Sequence, residues 1–66
     1  MTPSFREYDV VRLTQDLAEG LKAGTRGVVV LVHGGIPSAY EVEFVDNANR
    51  TVAVQTVQET ALEADR

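Results

Sequence analysis

The stretch Arg26-Gly27-Val28-Val29-Val30-Leu31-Val32 decides the fold class of this 66-residue chain. Four valines in five positions crowd χ1 in a helix and suit a pleated strand, and a glycine precedes them. Both parities are apolar. Val28, Val30 and Val32 fall on one face and are expected to point into a core. Val29 and Leu31 fall on the other and are left without an assigned cover. An antiparallel strand with one wet face ought to alternate. The surplus pair therefore marks either a second covering layer or an adhesive outer face.

Working outward, Tyr8-Asp9-Val10-Val11-Arg12-Leu13-Thr14 reads as an earlier strand with Val11 and Leu13 inward and Arg12 outward. Between them lies a long connection. Asp16 to Glu19 has the makings of one helical turn with Asp16 as its cap, Gly20 stops it, and Leu21 folds back over the core. Gly24 supplies positive φ for a tight turn. Downstream, His33 to Ser38 is a loop, with two glycines and a proline. Ala39-Tyr40-Glu41-Val42-Glu43-Phe44-Val45 alternates cleanly, with Tyr40, Val42 and Phe44 inward and Glu41 and Glu43 outward. Asp46 to Arg50 makes a hairpin loop. Thr51 to Val57 is the next strand, with Val52 and Val54 inward, and Leu62 anchors a short closing strand. The reading is all-β: one domain over residues 1–66, a small SH3-like barrel of about five short antiparallel strands, with 1–5 and 64–66 frayed. A chain this small needs closure to hide its edges.

Composition narrows the chemistry. There is no cysteine, hence no disulfide and no thiolate ligand. The opening Met1 to Arg6 lacks the apolar region of a signal peptide, and no apolar run is long enough to span a bilayer. A cytoplasmic protein with no membrane partner is expected. The net charge is −4, and residues 41–66 hold all of the excess. Such a surface repels phosphate backbones and turns the chain away from nucleic acid. Ser38, His33 and Asp46 have no spacing that supports a triad. Asp46-Asn47-Ala48-Asn49 lacks the glycine and glutamate of a calcium loop. Gly24-Thr25-Arg26-Gly27 and Gly34-Gly35 open no helix, so they read as turns and not as phosphate cradles. No enzyme activity, metal or cofactor is expected.

The residues "YDVVRLTQDL", "GLKAGTRGVVVLV", "AYEVEF" and "RTVAVQTV" resemble small SH3-like barrel proteins. More narrowly, the chain resembles a family of short bacterial proteins of unknown function that share the run YDVVRLT…DL…GLKAG…G.VV…YEVEF.D…RT. The resemblance covers roughly Phe5 to Leu62. It implies the fold, and for function it implies an antitoxin- or immunity-like role beside toxin-type proteins. KOW-type modules and ferredoxin-docking SH3-like subunits are similar too, but both present basic faces that this acidic chain lacks. The expected function is a non-catalytic protein-binding module, with an accessory subunit of a larger enzyme as the alternative and a KOW-like nucleic-acid module behind both. The candidate contact residues are Val29 and Leu31, rimmed by Glu41, Glu43 and Arg12, facing a second copy or a different protein.

Overall fold

The computed structural model describes residues 4–17 and 20–65. Five strands form one antiparallel sheet: β1 (Val10–Leu13), β2 (Arg26–Gly34), β3 (Ala39–Val45), β4 (Thr51–Gln58) and β5 (Leu62–Ala64), in the order β4-β3-β2-β1-β5. A 3-10 turn, Glu59–Ala61, links the last two. The expected small barrel is met as an all-β sheet left open, since β4 and β5 do not pair among the described residues. Leu21 covers one end of the core as anticipated, and Gly24 has φ +90° in its turn. Of the anticipated helical turn, Ala18 and Glu19 lie outside the described residues. The Asp16 carboxylate accepts from the Ala23 amide at 2.8 Å, closing that loop instead.

β1 and β3 follow the alternation of their sequence. Val11 and Leu13 are buried, as are Tyr40, Val42 and Phe44. β2 departs from it. Val29 pairs with Val42 but Leu31 pairs with Glu41, so Val30 is an extra residue, a β-bulge. The bulge shifts parity within the strand: Val29 is fully buried, Val32 packs on the core, and Leu31 turns outward. Val29 is therefore a core residue and not a surface one. β4 is likewise inverted. Val54 stands opposite Glu43, and directly opposed residues share a face, so Val54 points outward. Val52, expected inside, is the extra residue of a further irregularity beside the β3–β4 hairpin, and it is exposed.

The inversion of β4 has a volume reason. Phe44 is flanked by Gly27 on β2 and Ala53 on β4, a small–large–small row. A Cβ on Gly27 would stand 2.6 Å from Val42 Cγ1 and 3.0 Å from both the Glu43 carbonyl oxygen and Phe44 Cδ1. The inner side has room for the ring because its neighbours are small, and two valines face water as a result. Gly27, read as a turn residue, is thus a packing residue inside β2.

Of the segments expected to fray, Ser4, Phe5 and Asp65 are hydrogen-bonded to the sheet and the 3-10 turn. The Tyr40 hydroxyl donates to Glu59 Oε1 at 2.7 Å, and the same carboxylate accepts from the Ser4 amide at 3.1 Å. The Phe5 amide donates to Tyr40 Oη at 3.3 Å, and the two rings meet edge to face at 5.4 Å. At the other end the Asp65 amide donates to the Val10 carbonyl. Residues 1–3 and Arg66 lie outside the described residues.

Two predictions follow from this packing. Gly27→Ala forces Val42 and Phe44 to move and is expected to cost about 1–3 kcal/mol in a urea titration. The second concerns pH. The hydrogen bond from Tyr40 and then the Ser4 amide hold Glu59 below its ordinary value of 4.5. The Arg50 amide, followed by that of Ala48, holds Asp46 below 3.8. Burial, then the bond to Glu59, pushes the Tyr40 hydroxyl above 10.0. The carboxylates' contribution is complete above their ordinary values and drains away as pH falls through the lower folded ones. The Tyr40 contribution is complete below 10.0 and is lost as pH rises through the higher folded value. Tyr40→Phe is expected to flatten the alkaline limb and to lower stability by about 1 kcal/mol near neutrality.

Candidate interaction surface

The outer face of the sheet is built by register. One row crosses four strands as Val10, Val28, Glu43 and Val54. The next carries Leu31, Glu41 and Thr56. Leu31 is 46% exposed, and Val52 and Val54 are 53% exposed each. The two carboxylates at the centre are half-buried and drawn sideways by their neighbours. Glu41 Oε2 lies 3.1 Å from His33 Nε2, and Thr56 Oγ1 donates to Glu41 at 3.3 Å. Thr51 Oγ1 donates to Glu43 Oε2. The face is thus an acidic pair set in a frame of valine and leucine.

Of the five residues read as contact candidates, the structure brings Leu31, Glu41 and Glu43 together and withdraws Val29 into the core. Arg12 stands apart on β1, where Glu63 at 3.1 Å and Asp65 at 3.3 Å hold its guanidinium. The sequence reading missed Val52 and Val54 because it turned them inward. Glu43, fixed outward by its own strand, was the signal that could have found Val54, once the two were placed opposite each other.

Elsewhere the polar groups are occupied. Ser38 Oγ donates to the Gly35 carbonyl, His33 faces Glu41, and Asp46 accepts from Ala48, Arg50 and its side chain. Ser38, His33 and Asp46 therefore do not meet. A groove between residues 20–26 and the start of β4 is lined by Arg12, Leu21, Arg26, Asp46, Val52 and Asp65. Its charges are already engaged, Arg26 with Asn49 Oδ1 at 2.5 Å and Arg12 with β5 and Asp65. Among the described residues no buried side-chain polar atom lacks a hydrogen bond, and no helix is long and apolar enough to cross a membrane.

The sequence model of a domain of unknown function, DUF4926, matches residues 7–64. The chain belongs to the DUF4926 family. No curated protein and no solved structure matches it. The DUF4926 span runs from just before β1 to the end of β5, so it takes in the whole sheet and every residue of the outer face. It leaves out Ser4, Phe5 and Asp65, which tie down the two ends.

Val29 and Leu31 are two positions apart and separate the core from this face. Val29→Ala is expected to cost about 2 kcal/mol by opening a cavity. Leu31→Ala is expected to stay within about 0.5 kcal/mol, as surface substitutions do. Equal losses in chemical denaturation would show that Leu31 is part of the core.

Proposed function

We propose that the chain is a non-catalytic protein-binding module that docks its partner on the outer face of β2, β3 and β4. The observation that carries this reading is the set of half-exposed apolar side chains, Leu31, Val10 and Val54, in the rows that hold the carboxylates of Glu41 and Glu43. Completing the burial of each apolar side chain contributes about 1 kcal/mol. A lysine or arginine from the partner would meet two carboxylates that accept from Thr51 and Thr56, with His33 beside one of them. The net charge of −4 steers a basic surface toward this face. In its most specific form the partner is a toxin-type protein whose basic surface serves nucleic acid, and this chain acts as its antitoxin- or immunity-like inhibitor. The same reading takes the four-strand meander β1–β4, with a 3-10 turn leading β5 back beside β1, as an SH3-like barrel.

Affinity capture in the native host tests the proposal with the wild-type chain, Leu31→Asp and Glu43→Lys, each checked for a native melt. The wild type is expected to recover a protein with a basic surface patch. Each variant is expected to bind it at least about tenfold more weakly, the equivalent of about 1.4 kcal/mol. Equal recovery by all three would sink the reading. Fixed stoichiometry within a larger enzyme would identify an accessory subunit instead.

A further inference from the structure

Among the described residues, β4 is an edge strand protected only by an irregularity at its hairpin end. Natural sheets guard their edges with charge, proline, shortness or cover. The opposite edge, β5, has three residues, carries Glu63, and is flanked by Asp65, both ion-paired to Arg12. β4 runs for eight residues, TVAVQTVQ, with no charged residue and no proline. Its one irregularity lies at the hairpin end. Among the described residues only β3 pairs with it.

The phase of the β3–β4 ladder shows which groups face outward. The Glu59 amide donates to the Ser38 carbonyl at 2.9 Å. Alternation along an antiparallel pair then turns the backbone groups of Ala53, Gln55 and Val57 toward β3. Those of Val54, Thr56 and Gln58 face the free edge.

We propose that this edge pairs with the same strand of a second copy, antiparallel, about a two-fold axis through Val54. An axis there sets Val54 against its own counterpart, outward backbone groups meeting outward backbone groups, and brings Thr56 to the irregular Val52 of the second copy. Charge selects the edge over the face as the self-contact. A face-to-face dimer would stack Glu41 and Glu43 on their counterparts in an acidic chain, whereas strand on strand brings no β4 charges together. The pairing keeps both outer faces on one side of a ten-stranded sheet. It thereby doubles a three-strand face of roughly 300 Å² in projection, which alone is small beside the about 800 Å² per partner of a standard interface.

The test needs no other partner, so it stands or falls separately from the protein-binding reading. The chain has no cysteine, so Val54→Cys places a single thiol on the axis. Opposed residues of a hydrogen-bonded pair have Cα atoms about 5.5 Å apart, within disulfide reach. Leu31→Cys, two strands further in, would sit about 24 Å from its counterpart. Each folded variant is treated with oxidised glutathione, and the wild type is sedimented over a dilution series. The mass is expected to move between the 7.2 kDa of one chain and twice that value. Val54→Cys is expected to form the covalent dimer and Leu31→Cys not to. A wild-type chain that stays at 7.2 kDa throughout overturns the proposal, as do two variants that cross-link equally.

Discussion

The rest of the structure depends on how β2 is seated against β3. β3 alternates without a break, Tyr40, Val42 and Phe44 inward and Glu41 and Glu43 outward, and so it acts as the template. β2 brings an unbroken run of apolar residues, Val28 to Val32, to that template. Without the extra residue at Val30, Leu31 would stand opposite Tyr40, inside, and His33 would follow it toward the core. With it, Leu31 falls opposite Glu41 and Val32 opposite Tyr40. One inserted residue thus completes the core with valine and turns Leu31 to the outer face, while His33, inside a second register shift of β2, lies beside Glu41.

How much of this could be read in the sequence depends on whether a strand's two parities differ. In β1 and β3 they do, and Val11, Leu13, Tyr40, Val42 and Phe44 fall where alternation puts them. In β2 both parities are apolar, so periodicity carries no information about which is buried, and bulges leave no mark in a valine run. β4 misleads for another reason. Its larger side chains, Val52 and Val54, lie outside, while the small Ala53 takes the inner position opposite Phe44. Hydrophobicity ranks valine above alanine, but the core is limited by volume, and on β2 the Val42 methyl, with the Phe44 ring behind it, crowds any side chain larger than Gly27. The turns between strands were legible because they rest on residues such as Gly24 and Asn49, both with positive φ.

The candidate surface was half legible for the same reasons. Glu41, Glu43 and Leu31 were found because each follows from β3 or from an excess of apolar residues. Val54 was missed with the parity of β4, and Arg12 could not be excluded until Glu63 and Asp65, more than fifty positions away, closed around it. The Tyr40–Glu59 bond is equally invisible along the chain. It joins the start of β3 to the 3-10 turn and, through Ser4 and Phe5, to the start of the described chain. A strand, a turn and a terminus thereby share one carboxylate, so the last strand enters the sheet from a fixed position.

Under the proposed readings the two open surfaces answer to different forces. The β4 edge offers backbone groups and no charge, so what pairs there is chosen by strand geometry and by the absence of obstruction. Such a contact is little affected by ionic strength. The outer face offers side chains, with an acidic pair whose attraction for a basic partner is screened over about 8–10 Å at ordinary salt. Each force suits its surface. An acidic face discourages a second copy from covering it, and an uncharged edge gives a basic partner nothing to hold. Because β3 places Glu43 directly beside Val54, the two surfaces meet along one strand border. A second copy joined at that border would bring two acidic pairs onto one side of the sheet, where a basic partner long enough to span both would meet twice the charge and twice the apolar margin.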